Sequence, residues 1–90
     1  MENIHWELTV LSKAIAFPNL STAAIHVRLS QPQLSRIVQK IEKELGINLL
    51  DRSSKRKTAW TPLARLIAEN VDRSNRTLTD GLERILKEQD

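Results

Sequence analysis

Apolar residues recur at helical spacing in four stretches of the chain, and one short stretch between the third and fourth alternates instead. Ile4, Leu8, Leu11 and Ile15 fall at steps of three and four, which predicts a first helix over residues 3–16. Asn3 is its expected cap, and Trp6 and Val10 widen the stripe or lie beside it. Phe17-Pro18-Asn19 should end it, because the residue before a proline is pushed out of the helical region. Leu20 to Ile25 opens a second helix, with Ser21 as expected cap and Leu20 placed to pack on Ile25 as a hydrophobic staple. Ala23 and Ala24 are small enough to let another helix come close. Arg28-Leu29-Ser30 then leads at once into a third helix, whose stripe is Leu34, Ile37, Val38, Ile41 and Leu45. Ser30 can cap it, Pro32 is tolerated in its first turn, and Gly46 can take the left-handed position that ends it. Two helices joined by so short a turn make a helix-turn-helix, here without the glycine such turns often carry.

The alternation comes next. Residues 47–52 and 57–60 read as two short strands around the polar turn Ser53-Ser54-Lys55-Arg56, a ribbon with Lys55, Arg56 and Lys57 at or near its tip. Thr61-Pro62 is a strong start signal for a fourth helix that runs to Glu88, weakened only by Gly81. Leu63, Leu66, Ile67, Val71, Leu78, Leu82, Ile85 and Leu86 keep to one broad side of it. So long a helix outruns the domain it starts from. Val71, Leu78, Leu82 and Ile85 are therefore expected at a contact between copies of the chain, although not in a regular leucine zipper. The fold class is mainly α: three helices and a two-stranded wing over residues 1–60, then a long linker or dimerisation helix over 61–90.

Charge changes the picture more than composition does. The net charge is +3, but residues 21–60 hold eight Lys/Arg against three acids, while residues 61–90 hold five against six. The positive field sits on the middle of the chain and favours a polyanion there. Composition mainly excludes. With no cysteine, neither disulfides nor thiolate metal sites can form. His5 and His26 lack the companions of a metal site, so no metal and no cofactor is expected. Two glycines argue against phosphate-cradling loops, and no Ser, His and acid form a recognisable catalytic motif. An enzyme is not expected. No apolar run approaches a membrane span and no signal peptide opens the chain, so a cytoplasmic location and no membrane partner are expected.

The polar side of the third helix carries Gln33, Ser35, Arg36, Gln39, Lys40 and Lys43. Any amphipathic surface helix would show such a face. Opening with amide and hydroxyl groups and continuing with spaced cations, it also suits a DNA major groove, where amides reach base edges and cations meet phosphates. The basic tip between the strands suits phosphates or a minor groove. A protein-interaction module, with the long helix as its working part and the helix-turn-helix as a scaffold, is the alternative.

Three runs in combination, Leu20-Ser21-Thr22-Ala23-Ala24, Leu29-Ser30-Gln31-Pro32-Gln33-Leu34-Ser35-Arg36 and Ile41-Glu42-Lys43-Glu44-Leu45-Gly46, resemble the N-terminal DNA-binding region of LysR-type transcriptional regulators. The resemblance continues through Leu49-Leu50-Asp51-Arg52 and Thr61. It implies a winged helix-turn-helix whose long fourth helix pairs in a homodimer on an interrupted inverted repeat of double-stranded DNA. By position it implies Gln31, Pro32, Gln33 and Ser35 at base edges, and Ser21, Thr22, Arg36, Arg52, Lys55 and Arg56 at the backbone or minor groove. The spaced cations of the third helix add Lys40. The chain departs from the family pattern at Pro18-Asn19, at Leu20 and Leu50 where Phe is common, and at Pro62-Leu63-Ala64. Members of the family also carry a small-molecule domain that this chain lacks. A small-molecule effector would act only through that absent domain, whether the chain is an excised fragment or a stand-alone module.

Overall fold

The computed structural model describes residues 3–53 and 59–89. The described elements are α1 (His5–Ala14), α2 (Leu20–Val27), α3 (Gln31–Leu45), β1 (Leu50–Asp51), β2 (Ala59–Trp60) and α4 (Pro62–Glu88). This is the mainly α winged helix-turn-helix followed by a long helix that the periodicity predicts. One core serves all of it. Leu11, Ala14, Ala23, Ala24, Leu34, Val38, Ile41, Leu49, Trp60 and Ala64 are buried together, with Leu8, Ile15, Leu45 and Ile67 packed against them.

Local signals explain most boundaries. Ser30 Oγ accepts from the Gln33 N–H at 3.2 Å, and Gln33 Oε1 accepts from the Ser30 N–H at 2.8 Å. Together they close a capping box on α3. Gly46 ends α3 at φ +67°, where a glycine costs nothing. Thr61 Oγ1 accepts from the Ala64 N–H at 3.1 Å and donates to the Asn48 carbonyl at 2.9 Å, so the cap of α4 also ties that helix to the strand approach.

Several details differ from expectation. α1 begins at His5; Asn3 Oδ1 does accept from the His5 N–H at 3.0 Å, but Ile4 holds the cap position without a side-chain bond. α2 is capped by Asn19, whose Oδ1 accepts from the Thr22 N–H at 2.9 Å, and not by Ser21. Two good cap formers stand two residues apart, and half-buried Leu20 already falls inside the helix. The staple does not form, since Ile25 is 75% exposed. The missing turn glycine is replaced by Arg28, which adopts the left-handed conformation at φ 60°. A non-glycine residue there carries a cost of about 1–2 kcal/mol.

The ribbon is shorter than the alternation suggests, pairing Leu50 with Trp60 and Asp51 with Ala59 in antiparallel register. Leu49 uses its backbone elsewhere: its N–H donates to Glu42 Oε2 at 2.9 Å and its carbonyl accepts from Thr61 at 2.9 Å. Lys55, Arg56 and Lys57, the expected tip, lie outside the described residues. Trp60 is the long-range tie, donating its indole N–H to the Phe17 carbonyl at 2.8 Å and so anchoring the ribbon to the loop after α1.

α4 leans on α1 along its first half. Ala64 and Ala68 are buried, Ile67 and Val71 half-buried, and Asn75 donates to Thr9 Oγ1 at 3.4 Å. Farther on, Leu78, Leu82, Ile85 and Leu86 are each more than half exposed. The long helix gives the molecule extents of 56 × 28 × 21 Å.

Candidate nucleic-acid interface

The capping box fixes where α3 starts, and the buried stripe Leu34, Ile37, Val38 and Ile41 fixes its rotation. Gln31, Pro32, Gln33 and Arg36 are thereby exposed together over its first turn and a half, with Ser35 half-buried beside them. α2 meets this surface at its N-terminus. Ser21, exposed there, donates its hydroxyl to Gln31 Oε1 at 2.9 Å, and half-buried Thr22 has its N–H committed to the cap. The structure thus brings Ser21, Thr22, Gln31, Pro32, Gln33, Ser35 and Arg36 into one polar surface at the two helix starts.

Two cations of the expected set have carboxylate partners. Lys40 Nζ lies 2.7 Å from Glu7 Oε2, a contact from α3 back to α1. Its hydrogen bond, with Glu7's own backbone N–H, holds the Glu7 carboxyl below its ordinary value. Arg52 donates to both oxygens of Glu42, at 3.0 and 3.1 Å. Burial alone would raise the Glu42 carboxyl. The Arg52 hydrogen bonds, the Leu49 and Leu50 N–H groups and the guanidinium charge outweigh it and hold the group down. Glu42 keeps a side chain only 12% exposed, so it is a fixed post that clamps the foot of the ribbon to the recognition-helix candidate. Glu42 stood out in the sequence only as part of the run Ile41–Gly46 and Glu7 not at all, and neither pairing could be read because the partners are 33 and 10 residues away. Lys55 and Arg56 lie outside the described residues.

Among the described residues no group of three His, Cys, Asp or Glu side chains could hold a metal, and no helix is long and apolar enough to cross a membrane. His26 stacks on Phe17, ring centroids 4.0 Å apart and 7° from parallel.

Comparisons with known proteins bear on family and fold. Residues 7–65 match the family model described as bacterial regulatory helix-turn-helix protein, lysR family. The SDS degradation transcriptional activation protein of Pseudomonas sp. (strain ATCC 19151) is 43% identical over 63 residues, 70% of this chain and 19% of that protein. The regulator CrgA of Neisseria meningitidis serogroup C (strain 8013) is 37% identical over 49 residues, 54% of this chain and 16% of that protein. The chain therefore spans less than a fifth of the length of these curated relatives. Among solved structures, a CbnR_DBD–DNA complex superposes with a TM-score of 0.79 at 26% identity, covering 100% of both chains.

Proposed function

The chain belongs to the lysR family of bacterial regulatory helix-turn-helix proteins, and from that premise we propose that it binds double-stranded DNA in a sequence-specific manner. The family is one of transcriptional regulators and not of enzymes. In this reading α3 enters the major groove with its N-terminal end, where Gln31, Pro32, Gln33 and Ser35 reach base edges. Arg36, with Thr22 at the start of α2, lies along the backbone, and Lys55 and Arg56 supply the cations of the wing. Lys40 and Arg52 join only by exchanging a carboxylate for a phosphate. The observation that carries the reading is the exposure of Gln31, Pro32, Gln33 and Arg36 on a helix whose other side is fully buried.

The same reading divides the chain by role. Residues 1–60 hold the DNA-reading parts, and residues 61–90 form the helix through which two copies pair. Pairing covers Val71, Leu78, Leu82 and Ile85, and sets two recognition helices on an interrupted inverted repeat. Selection of bound sequences from a random duplex pool, followed by titration of Gln31→Ala, tests the proposal. The variant should lose about 1–3 kcal/mol at the selected site and almost nothing on unrelated DNA. Equal losses on both would contradict it.

A further inference from the structure

The hydrogen bond between Ser21 and Gln31 joins the starts of two helices and orients a group that the proposed function places at the bases. Ser21 Oγ donates to Gln31 Oε1 at 2.9 Å, and both side chains are exposed. A hydroxyl can either donate or accept, so by itself it would not choose which end of the carboxamide it meets. The N-terminus of α2 makes the choice. Ser21 is the second residue of α2, at the positive end of its dipole, and that field favours an oxygen over an amino group. Gln31 stands at the first position of α3, with its oxygen turned toward α2. Its NH2 is then the end left to face outward.

Gln33 follows the same logic. Its Oε1 is engaged by the Ser30 N–H at 2.8 Å, so its amino group too is the outward end. The start of α3 consequently presents donors.

We infer that Ser21 is a specificity-determining positioning residue: it holds the Gln31 carboxamide with its NH2 toward the groove, so that Gln31 reads a keto base, guanine or thymine. This rests on the DNA-binding reading above. Guanine offers two acceptors, N7 and O6, and thymine offers O4, whereas cytosine places only an amino donor at that edge and adenine sets an amino donor beside its single acceptor N7. Two donors facing each other repel. An unrestrained glutamine would do the reverse of this and pair with adenine through both of its ends. Ser21 has a second consequence for the interface. With its proton given to Gln31 it cannot donate to a phosphate, which also only accepts, so its role passes from backbone contact to orientation.

Base analogues separate the two orientations. The position to probe is the one whose preference Gln31→Ala flattens at the selected site. There, one duplex lacks the exocyclic oxygen of the keto base and another lacks the exocyclic amino group of its partner. The oxygen deletion also strips the adjacent ring nitrogen of its proton and so costs the duplex a second hydrogen bond; each loss below is therefore taken relative to that of Gln31→Ala on the same duplex, which cancels what a deletion does to the DNA itself. The unmodified chain should lose roughly tenfold more affinity for the oxygen deletion than for the amino deletion. Ser21→Ala should bring the two losses to within about twofold of each other, and Ser21→Thr, which keeps the hydroxyl, should restore the gap. A larger loss on the amino deletion, or a gap unchanged in Ser21→Ala, overturns the orientation while leaving Gln31 as a base contact. If Gln31→Ala flattens no position at all, the base contact itself is wrong and the orientation falls with it.

Discussion

α3 and α4 are both amphipathic, and the chain treats their apolar sides in opposite ways. The stripe of α3, Leu34, Ile37, Val38 and Ile41, is buried along its length by α1, α2 and the residues after Gly46. The stripe of α4 is buried where it is small, at Ala64 and Ala68, and exposed where it is large, at Leu78, Leu82, Ile85 and Leu86. The steps between Ala64, Ala68, Val71, Asn75, Leu78, Leu82 and Ile85 alternate between four and three, so a single seam runs the length of the helix. α1 covers its first half. The difference teaches that α3 is complete within one copy, free to offer its polar side, whereas the far half of α4 keeps its large apolar residues exposed.

Core substitution should show the contrast most strongly. Leu34→Ala removes a fully buried side chain and should cost about 2–5 kcal/mol in urea unfolding. Leu82→Ala, measured in dilute chain, should cost less than about 0.5 kcal/mol. Similar losses at the two sites would erase the distinction between a finished and an unfinished helix.

The second test places charges in the unfinished half. Leu78→Asp with Ile85→Asp should give monomers by sedimentation, with residues 1–60 still folded. The advantage of an inverted repeat over a single half-site, expected at about a hundredfold or more for linked binding, should vanish. An unmodified chain that sediments as a monomer well above its DNA affinity would contradict the pairing. Arg76 already has an ion-pair partner in Asp72, one turn earlier on its own helix. Charge matching at the rim of a paired seam therefore falls more on Arg73, Arg84, Asp80 and Glu83.

A smaller effect sharpens the α3 side. The Glu42 carboxyl is held below its ordinary value of 4.5 in the folded chain, so folding favours its ionised form. The stability this supplies is complete above about pH 4.5 and is lost as pH falls through the depressed value. Because Arg52 is half exposed, the pair should contribute about 1 kcal/mol or less. Arg52→Gln should lower the urea midpoint at neutral pH, and the gap from the unmodified chain should close in acid. A gap that widens in acid would show that the clamp does not rest on the ionised carboxylate. The smallest effect belongs to α4. Among the described residues nothing lies within 4 Å of a methyl group placed on Gly81, so Gly81→Ala should stabilise dilute chain by about 1 kcal/mol at most. Destabilisation there would mean that the monomer packs something against this turn.

What could be read in advance follows the same division between local and distant causes. Ser30, Pro32 and Gly46 around α3, and Thr61 and Pro62 at α4, act within a few residues, and their effects were legible one by one. So was the buried stripe of α3, since a helical period needs no knowledge of the partner, but not the start of α4, where Ala64 and Ala68 are buried and the expected Leu63 and Leu66 are exposed. The left-handed Arg28 was not, because nothing marks a non-glycine residue that tertiary packing forces into that conformation. Asn19 and Ser21 competed for one cap, and the position of Leu20 decided it. At the interface, the polar surface of α3 was visible as a pattern. The partners that constrain it were not: Glu7 on Lys40, Glu42 on Arg52 and Ser21 on Gln31 all come from other turns of chain. Residue type announces a cation or an amide, and only the fold shows what it already holds.

The central claim is that the exposed side of α3 reads bases while surrounding cations neutralise phosphates. The most direct measurement is the affinity of the unmodified chain for its selected duplex and for a scrambled duplex over a series of salt concentrations. Log affinity should fall linearly with log salt for both, by about 0.9 for each phosphate neutralised, with the selected duplex bound more tightly throughout. A flat salt dependence, or equal binding of the two duplexes at every salt concentration, would contradict it.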